Sequence, residues 1–86
     1  MGKHFVYIIE NVDGIHYKGM STNIKNRLLQ HNAGESKYTS VRGPWKLVYC
    51  AQFDSLSEAM KEEKRIKRLN KLSLLKLIAG YANPHT

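Results

Sequence analysis

Six residues of this 86-residue chain have types and spacings suited to chemistry: Tyr7, Tyr17, Gly19, Arg27, His31 and Glu63. Glu63 is the sharpest anomaly. Leu56, Ala59, Met60, Glu63 and Ile66 follow the i, i+3, i+4, i+7, i+10 spacing of a buried helical face, and Glu63 takes a place that the pattern gives to an apolar residue. A buried carboxylate is costly unless it is paired or bound to a metal ion. Glu58 has an ordinary capping role and Glu62 reads as solvent-facing, so Glu63 is the acid to explain. The plainer alternative is an i, i+4 ion pair with Lys67 on the edge of the stripe. Arg27 and His31 are also four apart and share one helix face, bordering the stripe of Ile24 and Leu28. Arginine offers a planar fork of donors that matches phosphate oxygens, and histidine can pass a proton or donate to phosphate. The plainer alternative is a polar rim whose arginine stem covers apolar surface.

The two tyrosines depend on a hairpin. Residues 3–10, KHFVYIIE, read as a strand with both faces apolar: Phe5, Tyr7 and Ile9 on one, Val6 and Ile8 on the other. Burial on both faces suggests the central strand of a small sheet. Residues 15–20 form the second strand. A three-residue loop, Val12-Asp13-Gly14, fits a type I turn followed by a left-handed glycine, and it pairs Ile9 with Tyr17 and Tyr7 with Gly19. Tyr7 and Tyr17 then share a face, whereas a two-residue Asp13-Gly14 loop would separate them. Gly19, bare of a side chain, leaves room for the Tyr7 ring and for close approach of another chain. The plainer alternative is two core aromatics beside a bulge glycine.

The remaining elements position these groups. A helix is expected over 23–32, with Ser21 or Thr22 as N-cap and Gly34 as its stop. Residues 34–44 read as a loop and 45–53 as the third strand. Ser55-Leu56-Ser57-Glu58 has the spacing of a capping box and opens a helix from Leu56 to about Leu69. A last helix, about Lys71 to Ala79, is expected to stop at Gly80. The order is ββαβαα: an α+β fold with a small three-stranded antiparallel sheet, first strand central, flanked by helices. Residues 1–80 are expected to form one domain and 81–86 a short tail.

Bulk properties narrow the function. Fourteen Lys and Arg stand against seven Asp and Glu, a net charge of +7, which favours a polyanionic partner and most simply nucleic acid. Lys61, Lys64, Arg65 and Arg68 fall on the polar side of their helix, where a solvated face or phosphate contacts would both account for them. The single cysteine, Cys50, excludes an internal disulfide framework and a thiolate zinc site. No run approaches the ~18 apolar residues of a membrane span. The start lacks an apolar core with a cleavage site, and a cytoplasmic protein is expected.

Taken together, the set resembles the GIY-YIG nuclease family. Phe5-Val6-Tyr7 stands at the first motif, with phenylalanine for glycine and valine for isoleucine, and Tyr17-Lys18-Gly19 at the second. Arg27 follows Tyr17 at the family's interval, His31 four later, and Glu63 falls where the family helix carries its metal-binding glutamate. Lys37-Tyr38-Thr39, Arg42-Gly43-Pro44 and Leu47-Val48-Tyr49 resemble the small stand-alone bacterial members, and the likeness runs from about residue 4 to 78. Many family nucleases carry an asparagine after the metal-binding helix; Asn70 is the nearest here and its position does not match.

The resemblance implies hydrolysis of DNA phosphodiesters. Glu63 would hold Mg²⁺ or Mn²⁺, a hard cation suited to oxygen, which polarises the scissile phosphate and stabilises the leaving 3′ oxygen. Arg27 would neutralise developing charge. Tyr7 is implied as general base for the attacking water, with Tyr17 orienting that water or sharing the proton and His31 assisting proton transfer or contacting phosphate; the sequence leaves open which of the three takes the proton. A phenol of pKa ~10 is a poor base at neutral pH, so Arg27, Lys18 or the metal would have to favour phenolate. Lys18, Gly19, Lys37, Thr39, Arg42 and Lys67 are implied as substrate contacts. The expected partner is DNA, branched or damaged, with a partner protein supplying selectivity. The rival expectation is a nuclease-like module that binds nucleic acid with weak or no cleavage.

Overall fold

The computed structural model describes residues 3–35 and 42–82. Along the chain run β1 (His4–Glu10), β2 (His16–Ser21), α1 (Ile24–Asn32), β3 (Lys46–Phe53), α2 (Leu56–Lys67) and α3 (Lys71–Ala82). The strands form one antiparallel sheet in the order β2-β1-β3, with β1 central. Architecture and order agree with the expected ββαβαα α+β fold.

The β1–β2 turn sets the register on which the site depends. Gly14 has φ +78°, a left-handed conformation that glycine adopts without steric cost. The Gly14 N–H donates to the Asn11 carbonyl at 3.1 Å, and the Asn11 N–H donates to the Ile15 carbonyl at 3.1 Å. The buried Asn11 side chain stiffens the loop: its Oδ1 accepts from the Asp13 and Ile15 N–H groups, and its Nδ2 donates to the Arg42 carbonyl. Ile9 pairs with Tyr17 and Tyr7 with Gly19.

Two cores form because β1 buries both faces. Val6 and Ile8 pack with Ala59 and Ile66 of α2 and Leu74 of α3. Tyr7 and Ile9 pack with Trp45, and with Ile24 and Leu28 of α1. A bulge in the β1–β3 pairing leaves Val48 unpaired between Leu47 and Tyr49, and Val48 and Tyr49 both pack on the Val6–Ile8 side. No helix among the described residues is long and apolar enough to cross a membrane.

Five local expectations change. The N-cap of α1 is Asn23, whose Oδ1 accepts from the Asn26 N–H at 3.0 Å; Ser21 hydrogen-bonds the backbone of Asn23 instead. α2 ends at Lys67, two residues early. α3 runs through Gly80 to Ala82, because Gly80 does not adopt the positive φ that ends a helix. The Tyr81 ring, expected in an unstructured tail, lies 5.6 Å from that of Tyr49 and ties down the last turn. The buried line of α2 is Ala59 and Ile66, while Leu56 and Met60 are exposed. Glu62 and Glu63 therefore flank the buried line on opposite sides, at ~100° per residue.

Candidate active site

Tyr7 projects from the central strand and is 2% exposed. Its ring lies over Gly19. A Cβ on Gly19 would sit 2.8 Å from the Tyr7 Oη, 2.9 Å from its Cζ and 3.2 Å from Cε2 of Tyr17. The space expected to admit another chain is thus filled by the protein's own phenol. α1 packs beside this face and brings His31, 1% exposed, to Tyr7: Oη and Nε2 are 2.9 Å apart. The Tyr17 and His31 ring centroids lie 4.9 Å apart, and those of Tyr7 and Tyr17 6.4 Å apart.

Arg27 stands one helical turn before His31. Its Nη1 donates to the Gln30 Oε1 at 3.0 Å, and the neighbouring phenols, Tyr7 first and Tyr17 after it, raise its pKa. Burial raises the pKa of Tyr7; hydrogen bonding and charge from Arg27 pull it down, but burial and the charges of Tyr17 and Glu63 outweigh them. Burial lowers the pKa of His31, and the Arg27 charge lowers it further. At neutral pH the pair is a phenol against a neutral imidazole. Of the groups expected to favour phenolate, Arg27 does pull the Tyr7 pKa down, but by less than burial raises it. When Nε2 of His31 carries no proton, the Tyr7 hydroxyl donates to it, and His31 is placed to receive the proton that Tyr7 would otherwise keep.

Glu63, on α2, is near enough for its charge to act on Tyr7. Its side chain is 20% exposed, and its Oε2 lies 3.5 Å from the Lys67 ammonium. The i, i+4 pair weighed as the plainer alternative is therefore present. Glu62 does not point to solvent: Arg65 binds it through two nitrogens at 2.6 and 2.8 Å, and the Tyr49 hydroxyl donates to it at 3.2 Å. Arg65 holds its carboxyl below the usual carboxylate range. Among the described residues no three His, Cys, Asp or Glu side chains group as a metal cage.

Lys18 and Lys67 line a recess of about 220 Å³ at the edge strand, with His16 and Tyr17. The nearly buried His16 ring lies 3.2 Å from the Glu10 carboxylate; burial and the Lys71 charge lower its pKa. The Arg42 backbone is fixed at the turn by Asn11, about 13 Å along β1 from Tyr7 at strand rise. Lys37 and Thr39 lie outside the described residues. Asn70 accepts the Ser73 N–H at 2.8 Å and caps α3, which accounts for its mismatch with the family asparagine. A larger cleft, between the β1–β2 turn and Trp45, contains none of the candidate residues. Lys61, Lys64, Arg65 and Arg68 line a shallow groove on the outer side of α2.

Two contributors escaped the sequence reading. Gln30 restrains Arg27, and its i+3 spacing was the available signal. His16 was also readable, since the register that pairs Tyr7 with Gly19 sets His16 opposite Glu10.

Known proteins resemble this chain over most of its length. Residues 3–76 match the GIY-YIG catalytic domain family. A UPF0213 protein of Staphylococcus saprophyticus is 44% identical over 92% of this chain and 98% of its own length. One from Halobacterium salinarum is 48% identical over 79% of this chain and 90% of its own. The solution NMR structure of the UPF0213 protein BH0048 from Bacillus halodurans superposes with a TM-score of 0.64 at 37% identity, covering 96% of this chain and 89% of that one. With the match spanning all three strands and most of the helices, the chain belongs to the GIY-YIG family, a family of endonucleases that generally use divalent metal ions.

Proposed function

We propose that this protein is a divalent-metal-dependent DNA endonuclease that hydrolyses phosphodiester bonds, directed by DNA structure and acting in the cytoplasm in repair or recombination. The observation that carries the reading is the buried Tyr7–His31 hydrogen bond at 2.9 Å, with the Arg27 charge acting on both rings. A core needs none of these polar groups, and burying them together is costly unless each is satisfied.

The donor set fits a hard cation of the Mg²⁺ or Mn²⁺ type. Such ions commonly use one or two carboxylates and complete their shell with substrate phosphates and water. Glu63 offers one carboxylate whose charge is felt at Tyr7, whereas a zinc cage of histidine and cysteine has no counterpart among the described residues. A cation held by Glu63 supplies Lewis-acid polarisation of the scissile phosphate and charge stabilisation at the 3′ oxygen. The protein's own groups handle the proton. Tyr7 accepts a proton from the attacking water as it passes its own to Nε2 of His31, so free phenolate never accumulates. The water oxygen forms the new bond to phosphorus, the bond to the 3′ oxygen breaks, and that oxygen takes a proton from solvent. Arg27, fixed by Gln30, faces the negative charge that builds on the phosphate. Tyr17 orients the water, and Lys18 and Lys67 bind flanking phosphates.

A cleavage screen over flap, branched and nicked DNA in Mg²⁺ and Mn²⁺ tests the reading. Wild type cuts at least one shape, and both Glu63→Ala and Tyr7→Phe lose that cleavage. Cleavage retained in both variants refutes the residue roles. A second reading, a module that binds nucleic acid and recruits a partner protein with little cutting, draws support from Glu63 being already paired with Lys67 and Asn70 being used as a cap. Salt-dependent binding without turnover on any shape favours that module.

A further inference from the structure

Glu62 and Glu63 are neighbours on one helix, each beside a cation, and the two pairs are built differently. Glu62 is locked: Arg65 grips it through two nitrogens and Tyr49 adds a third contact. Glu63 is only covered. Its partner is a lysine, single-pronged and flexible, at 3.5 Å, and the Lys67 side chain is 55% exposed. Exposed pairs of this kind are weak. Lys67 also lines the recess beside β2 with Lys18, His16 and Tyr17. Among the described residues no carboxylate lines that recess; Glu10 is paired with His16, and Glu63 lies 3.5 Å from the Lys67 ammonium. Two ammonium groups beside a histidine and a phenol make it a place for a phosphate oxygen.

Given the reading of Glu63 as metal ligand, we propose that Lys67 is an exchangeable counter-ion. It covers the Glu63 carboxylate in the free protein, and a nucleic-acid phosphate seated in the β2-edge recess draws it away, so that nucleic acid and divalent cation bind cooperatively. While the ammonium sits on Glu63, it repels an approaching cation and occupies the carboxylate's outer side. A phosphate in the recess offers Lys67 a second anionic partner within the swing of its four-carbon stem. By linkage, the cation then tightens nucleic-acid binding by the same factor as nucleic acid tightens cation binding. The arrangement keeps the acid paired when no substrate is present.

The test measures Mn²⁺ binding to the full chain by electron paramagnetic resonance at fixed ionic strength. It is made with and without a short oligonucleotide bearing hydrolysis-resistant phosphorothioate linkages. In wild type the oligonucleotide raises Mn²⁺ affinity at least fivefold. Lys67→Met, checked for unchanged thermal stability, binds Mn²⁺ about two- to fivefold more tightly without oligonucleotide, the range of an exposed ion pair, and its coupling factor falls correspondingly. Lys67→Met with wild-type or weaker Mn²⁺ affinity, or with undiminished coupling, overturns the proposal. Glu63→Gln separates the two failures: if it binds Mn²⁺ as wild type does, the metal reading of Glu63 is wrong, whatever Lys67 does.

Discussion

Gly19→Ala is the smallest change that tests how the site is assembled. Elsewhere in a strand it would be mild. Gly19 has no positive φ, so alanine suits its backbone, and reduced freedom of the unfolded chain would stabilise the fold by about 0.4–1 kcal/mol. Here the added Cβ would stand 2.8 Å from Oη of Tyr7, 2.9 Å from its Cζ and 3.2 Å from Cε2 of Tyr17. Ordinary carbon contacts begin near ~3.5 Å, so the phenol must retreat by roughly 0.6 Å. It has little room to do so. The ring is 2% exposed, with Ile9 and Trp45 in the same cluster, and its hydroxyl is held at 2.9 Å by a His31 ring that is itself buried. Overpacking of this kind costs about 1–3 kcal/mol, and a strained Tyr7–His31 hydrogen bond adds about 0.5–1.5 kcal/mol.

The clash term exceeds the backbone gain, and the expected net effect is a destabilisation of about 1–3 kcal/mol. Urea unfolding followed by tryptophan fluorescence measures it, since Trp45 belongs to the Tyr7 cluster. The same displacement moves the proposed proton acceptor by over half an ångström, and misplacements approaching ~1 Å can cost about a hundredfold in rate. Cleavage of the best DNA shape should fall by about tenfold or more at temperatures where the variant is folded. An alanine variant as stable as wild type, or more so, would show that the phenol is loosely held and that Gly19 is not there to seat it.

The other predictions concern the wider fold and its pH response. Gly80→Ala tests the helix that outran its expected stop: nothing lies within 4 Å of the added carbon, so stability rises by about 1 kcal/mol in the same urea experiment. Asn11→Ala removes acceptors for the Asp13 and Ile15 N–H groups and the donor to the Arg42 carbonyl, and should cost about 1–3 kcal/mol, while Asn11→Asp, which keeps the acceptors, costs less. His31 and His16 both have lowered pKa values, so between the ordinary value of about 6.5 and their folded values the unfolded chain binds more protons. Stability is therefore full above pH ~6.5 and declines as pH falls from there through the folded values. Melting temperatures across pH 4.5–8 should show that slope, weakened in His31→Gln. If His31 receives the Tyr7 proton, cleavage is also lost on the acid side, through a pKa below 6.5.

The hairpin was legible in the sequence because its determinants are local. Gly14 supplies the left-handed residue, and loop length then sets Tyr7 opposite Gly19 with no help from the rest of the fold. The Arg27–His31 spacing was equally readable, since four residues on a helix share a face whatever they pack against. The orientation of α2 was less accessible. Leu56 and Met60 suggested a stripe centred near Glu63, yet both are exposed and the true centre is the line through Ala59 and Ile66. That shift turns Glu62 inward as well, and periodicity alone cannot reveal that a strand tyrosine waits to hold it. The state of Tyr7 was out of reach for another reason. Burial and an arginine act on a phenol in opposite directions, and only the packed site shows which prevails.

That balance bears on how such a site can work near neutral pH. A standing phenolate would need its charge stabilised permanently, at a cost in buried negative charge beside Glu63. The fold instead keeps Tyr7 neutral by burial and sets beside it an imidazole that Arg27 and burial also keep neutral. On the proposed mechanism, neither group then carries charge before the reaction, and the proton has somewhere to go only while the water attacks. The edge strand makes this geometry possible. With the order β2-β1-β3, the phenol of the central strand lies towards the β2 edge, and Gly19 is the position on β2 where a side chain would stand in its way. Glu63, from the helix layer on the opposite face, is close enough for its charge to be felt by Tyr7. The missing side chain at Gly19 thus makes room for the Tyr7 ring, and the charge of Glu63 from the α2 side is still felt there.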